Sequence, residues 1–147
     1  MLDPDRSPGF LLWHATLRWQ RTVADALRPL GLTHVQFVLL ACAWWLGERG
    51  TCPNQLTLAR QAGTDVKMTS QVLRTLEGKG LLVREPDPAD TRAKLVRVTP
   101  AGADLAPRAI AVVEAVDADV FAGVDIPTAT ALLTRLAHGE APQAERT

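Results

Sequence analysis

The stretch that decides the fold runs from Gly63 to Glu85 and reads GTDVKMTSQVLRTLEGKGLLVRE. Asp65 is a favoured N-cap residue, and Thr69, Val72, Leu73 and Leu76 follow it at the spacing of one buried helical stripe. Gly78 or Gly80 stops that helix. On its other side Lys67, Gln71 and Arg74 stand at i, i+4 and i+7 and project together, flanked by Met68 and Ser70. Arginine and glutamine bond guanine and adenine edges in pairs, and lysine meets phosphate or guanine. Alone, such a face reads equally well as ordinary solvated helix. It has neighbours that decide the matter. Upstream, Asn54 caps a short helix carrying Leu56, Leu58, Ala59 and Ala62, closed by Gly63. Two short helices joined by a glycine turn make a helix-turn-helix.

Downstream, Leu81 to Glu85 and Leu95 to Thr99 read as two strands, the second alternating Val96 and Val98 with Leu95, Arg97 and Thr99. Pro86 to Lys94 between them is too polar for a core. A hairpin behind a helix-turn-helix is a wing. Its tip carries Arg92 and Lys94, suited to the focused negative potential of a narrow minor groove, with Asp90 placed to brace Arg92. Arg84 and Arg97 lie on the strands, within reach of phosphates. The bland alternative for the tip is a solvated turn with a weak surface ion pair.

Working outward, Pro8-Gly9 precedes a helix with Leu12, Trp19, Val23 and Leu27 on one face, stopped by Pro29 and Gly31. Thr33 with Gln36 has capping-box spacing for a second helix, apolar nearly all round and so expected to be central and buried. Thr99-Pro100 starts a long Ala/Val helix with Ala106, Ala109, Val113, Val116 and Val120 on one stripe and Pro107 inside it. Pro127 opens a last helix bearing Leu132, Leu133 and Leu136. The fold class is therefore mainly α with a small β-hairpin, a winged helix-turn-helix between flanking helices.

The 147 residues balance 16 Lys+Arg against 16 Asp+Glu, which argues against coating nucleic acid over the whole surface. The balance conceals a polarity. Residues 60–97 hold eight basic and five acidic side chains, and residues 98–147 hold three and seven. The start is acidic and proline-broken rather than a signal peptide, and Val35 to Leu46 is too short to span a bilayer, so a cytoplasmic protein without a membrane partner is expected. No HExxH, GxSxG, P-loop or GxGxxG string occurs and the three histidines are scattered, so neither an enzyme nor a metal or cofactor is expected.

Two smaller readings stay open. Trp13, His14 and Arg18 with Phe37, Ala41 and Trp44 are placed to line a crevice between the first two helices, an apolar slot for a flat carboxylic or phenolic ligand; the alternative is core. Cys42 reads as a small core residue, and Cys52 lies near a helix start, where the dipole favours a thiolate and hence redox sensing.

In order and spacing, the chain resembles the MarR family of transcriptional regulators. The resemblance is carried by Leu58-Ala59, Gly63 to Ser70, Leu76-Glu77-Gly78-Lys79-Gly80-Leu81-Leu82-Val83-Arg84, Asp87 to Lys94, and Val98-Thr99-Pro100-Ala101-Gly102, within residues 10–138. It implies a single domain over 1–147, with 33–99 as winged helix-turn-helix and 10–32 with 100–138 as dimerisation helices. It further implies a homodimer on double-stranded DNA at a pseudo-palindromic operator, with repression relieved by a small ligand, for which the crevice above suits an aromatic or phenolic one, or by cysteine oxidation. Lys67, Met68, Thr69, Ser70, Gln71 and Arg74 fall on the family's recognition helix and Arg92 on its wing tip. The oxidant-sensing branch uses a first-helix cysteine with tyrosine partners, and this chain has neither. A rival outside the DNA-binding class is a winged-helix module that binds protein.

Overall fold

A computed structural model describes residues 3–139 of the chain. Ser7 caps helix α1 (Pro8–Leu27), its hydroxyl accepting the Phe10 amide. A single 3-10 turn over Arg28–Leu30 follows and ends at Gly31. Thr33 then opens α2 (His34–Glu48) with the reciprocal capping box its spacing predicts. The Gln36 amide donates to the Thr33 hydroxyl, and the Thr33 amide donates to the Gln36 side chain.

The helix-turn-helix follows its caps closely. Asn54 Oδ1 accepts the Thr57 amide at 2.8 Å to start α3 (Gln55–Ala62), and Asp65 Oδ1 accepts the Met68 amide at 2.8 Å to start α4 (Val66–Gly78). Between them Gly63 sits at φ 69°, the left-handed region that suits glycine. Strands β1 (Leu82–Pro86) and β2 (Lys94–Val98) pair antiparallel, Leu82 opposite Val98 and Pro86 opposite Lys94. One pairing is not legible in the sequence: Asn54 bridges Leu95, and the Val96 amide donates to the Pro53 carbonyl at 2.8 Å. The lead-in to α3 is thereby fastened along β2.

The core is assembled from the four helices α1 to α4, the hairpin, and Ala106, Ala109, Val113 and Val116 of the helix that follows it. Val23 and Leu27 of α1, Leu39 and Leu40 of α2, Leu58 of α3, Leu73 and Leu76 of α4, and Leu82 and Val96 of the hairpin are all fully buried. Each such side chain contributes about 1.5–3 kcal/mol relative to leaving it in water. Helix α2 is less enclosed than its composition predicts. Leu39, Leu40 and Ala43 are buried, whereas Trp45 remains 44% exposed with the Arg49 guanidinium 4.0 Å over its ring.

Helix α5 (Pro100–Val120) is joined to the winged part by Thr99. The Thr99 hydroxyl donates to the Gly80 carbonyl at 2.6 Å and accepts the Gly102 amide at 3.1 Å. A Cβ added at Gly102 would collide with the Leu81 carbonyl oxygen and lie 2.7 Å from Val98 Cγ1. Glycine is required there by close packing, not by its backbone angle. Pro107 lies inside α5, and the Ala103 carbonyl it leaves without a helical donor is on an exposed residue.

By its contacts the described chain forms two compact units, residues 3–116 and 117–139. The second holds the end of α5, a turn through Gly123, and α6 (Ile126–His138). Asp125 caps α6 with Pro127 in its first turn, and the Asp125 carboxylate accepts both the hydroxyl and the amide of Thr128. Those bonds hold the Asp125 carboxyl below the usual aspartate range. No residue of α6 is buried, and Ile126, Leu132, Leu133 and Leu136 are exposed. No single helix among the described residues is long and apolar enough to cross a membrane.

Candidate nucleic-acid interface

Helix α4 sorts its residues by angle. Leu73, Leu76 and Thr69 point inward, and Lys67, Gln71 and Arg74 stand exposed on the opposite side, with Met68 at the edge. Thr69 therefore cannot contact a partner, contrary to its place among the recognition-helix residues. It is fully buried, donates to the Asp65 carbonyl at 2.8 Å and shares a 2.7 Å hydrogen bond with the Thr64 hydroxyl. Two positions past Lys67 is about 200° around a helix, which carries Thr69 to the core side.

Between α4 and the hairpin lies a cleft of about 550 Å³. Val66, Ser70 and Arg74 supply one wall, Arg92, Ala93 and Lys94 the other, and Asn54, Gln55 and Leu56 the end nearest α3. Sequence reasoning finds the basic residues but misses Leu56, Val66, Asn54 and Gln55. The available signal was Val66, an apolar residue directly after the N-cap and off the buried stripe.

Arg84 also lines the cleft, and it is engaged within the chain. Its side chain is only 12% exposed; Nε donates to Glu77 Oε2 at 2.8 Å and Nη1 to Gln55 Oε1 at 3.1 Å. One guanidinium thus joins β1 to the end of α4 and the start of α3, fixing the width of the cleft. The Arg84 hydrogen bond holds the Glu77 carboxyl below the ordinary glutamate range. Arg97 is likewise engaged, its Nε donating to Glu85 Oε2 at 3.0 Å. At the tip, Asp90 Oδ1 accepts the Arg92 backbone amide at 3.0 Å and lies 3.5 Å from the Arg92 Nε. Asp90 therefore shapes the turn more than it fixes the guanidinium, which stays 92% exposed beside exposed Lys94.

A basic, rigidly spaced cleft beside a helix-turn-helix has clear relatives. The MarR family model matches residues 32–94. The chain is 44% identical over 119 residues to the uncharacterized HTH-type transcriptional regulator YdcH of Bacillus subtilis, covering 81% of each. The chain belongs to the MarR family. It is also 34% identical to the HTH-type transcriptional repressor Rv2887 of Mycobacterium tuberculosis, covering 86% of this chain and 88% of that one. The crystal structure of Rv2887 in complex with salicylic acid superposes with a TM-score of 0.64 at 31% identity, covering 91% and 96% of the two chains. CouR of Rhodococcus jostii bound to p-coumaroyl-CoA superposes with a TM-score of 0.81 at 26% identity, covering 98% and 99%.

The crevice expected of this MarR-family chain is not gathered in its structure. Trp13 is 60% exposed and His14 packs edge-on against Phe10 at 4.4 Å. Arg18 is exposed, and its five-residue offset from Trp13 turns it about 140° away around α1. Phe37, Ala41 and Trp44 form a half-buried stripe of α2, and Trp44 lines a separate cavity of about 370 Å³ with Cys52, Val96 and Arg97. None of the other five expected residues lines that cavity. Burial pushes the Cys42 thiol up, away from the reactive thiolate, and the Cys52 thiol donates to the Val96 carbonyl at 3.6 Å.

Proposed function

We propose that this MarR-family regulator is a homodimeric repressor that binds a pseudo-palindromic operator in cytoplasmic DNA and is released by a small aromatic ligand. The observation that carries the reading is the cleft. Arg74 on α4 and Arg92 with Lys94 on the wing face it, and Lys67 and Gln71 project beside it. Major-groove edges fall to Lys67, Gln71 and Arg74, with Met68 and Ser70 beside them, and phosphates with the minor groove fall to Arg92 and Lys94.

Homodimerisation is supported by apolar surface that one chain leaves in water. Phe10, Leu11, Leu12 and Trp13 at the start of α1 are exposed, and so are Leu132, Leu133 and Leu136 on α6. Such patches mark interaction surfaces. Ligand response is supported by the salicylic acid held by Rv2887, a repressor by name, and the p-coumaroyl-CoA held by CouR. A protein-binding module would have no need to keep Lys67, Gln71, Arg74 and Arg92 exposed together.

A gel shift on the DNA upstream of the protein's own coding sequence, titrated with salt, tests the reading. Affinity for that DNA should exceed affinity for unrelated duplex by about 10³ or more and fall linearly on a log–log salt plot. Equal affinity for both duplexes would contradict it.

A further inference from the structure

The cleft is not purely basic. Leu56 of α3 and Val66 at the first position of α4 line it together with Ser70 and Arg74, and they are 45% and 57% exposed. Both are among the large apolar side chains the chain leaves exposed, and both lie off the stripes that their helices bury, Leu58 and Ala59 in α3 and Thr69, Leu73 and Leu76 in α4. Nothing in the core accounts for them. Val66, Ser70 and Arg74 follow one another at i, i+4 and i+8, so the apolar shelf continues along the helix into the guanidinium of Arg74. The tie from Arg84 to Glu77 and Gln55 holds the two helices and the wing at fixed spacing around this shelf.

The one apolar group that a base pair offers in the major groove is a pyrimidine 5-methyl, and the N-terminal residues of a recognition helix are those that meet base edges. We propose that Leu56 and Val66 form a receptor for the 5-methyl group of a pyrimidine, in the same half-site as the base read by Arg74, so that each half-site has one position selected by its methyl group. The inference rests on the operator-binding reading and deepens it by naming what the cleft recognises. Thymine and 5-methylcytosine both carry that group, and the test separates them.

The experiment starts by selecting duplexes bound by the full-length protein from two random libraries, one made with thymidine and one with deoxyuridine. The sequence enriched from the thymidine library is then remade with thymine, uracil, cytosine or 5-methylcytosine at each pyrimidine position in turn, each against its matching purine. At one symmetric position, thymine should bind about fourfold better than uracil per half-site, the ratio set by burying one methyl group. If the methyl alone is read, 5-methylcytosine should gain over cytosine there by the same factor; if it does not, thymine is selected by its O4 as well, and the thymine–uracil ratio still carries the proposal. Val66→Ala and Leu56→Ala should each bring the thymine–uracil ratio towards one. Either variant suffices if the other fails to fold. Equal binding of thymine and uracil at every position, or a ratio unchanged in both variants, would overturn the methyl receptor while leaving operator binding intact. Enrichment of no sequence from either library would overturn operator binding itself, and this inference with it.

Discussion

Residues 54–98 and residues 117–139 solve opposite problems. The first segment is nearly complete as a single chain: its helices are capped by Asn54 and Asp65, its leucines other than Leu56 and Leu95 are buried, and Leu56, Val66, Met68 and Val83 are its only large exposed hydrophobic side chains. The second buries no residue of α6 and leaves Ile126, Leu132, Leu133 and Leu136 in water, although Asp125 caps the helix as well as any. Charge divides the same way, with basic excess in residues 60–97 and acidic excess beyond them. Good capping thus says that a helix forms, and only burial says whether its face has found its partner. On the proposed reading the first segment meets a polyanion and the second meets apolar protein.

The strongest way to break this contrast is to make the second segment polar. Leu132→Asp with Leu136→Asp should yield monomers in sedimentation and lower operator affinity by about 10²-fold or more, because linked half-site binding is lost. A dimer that persists would remove α6 from the interface. Next in size, Arg74→Ala should cost about 1–3 kcal/mol per half-site and relax base preference at one symmetric position, read by binding to a panel of single-base variants. Equal loss on every sequence would reduce Arg74 to a phosphate contact.

Gly102→Ala probes the seam rather than either surface. Its Cβ has no room against Leu81 and Val98, so stability should fall by about 1–3 kcal/mol in urea titration with the slope unchanged. Arg92→Ala should weaken binding more evenly across sequences and reduce the salt slope by about 1 per wing. The smallest effect is in acid. Since Arg84 holds the Glu77 carboxyl low, the contribution of that pair is whole above the ordinary glutamate range and fades as pH falls through the lowered value. Arg84→Met should flatten that part of the stability–pH curve.

Much of the architecture is legible because it is written locally. Thr33 with Gln36, Asn54, Asp65 and Thr99-Pro100 each announce a helix start by their own chemistry, and the structure has those starts where the caps fall. What is not legible depends on residues far apart in the chain. The Arg84 tie needs Gln55 and Glu77 in three dimensions, and the Asn54–Leu95 bridge is too short to leave a period. Thr69 illustrates the limit within one helix. It belongs to the inward stripe by spacing and to the recognition helix by resemblance, and its burial decides for the stripe.

Hydroxyl-radical footprinting on the selected duplex reads out how α4 and the wing sit on DNA. A homodimer reading DNA through α4 and the wing should protect two blocks related by a dyad, about 34–36 Å apart, and Arg74→Ala should erase base preference within both. A single protected block, or blocks with the same preference in Arg74→Ala, would contradict the account.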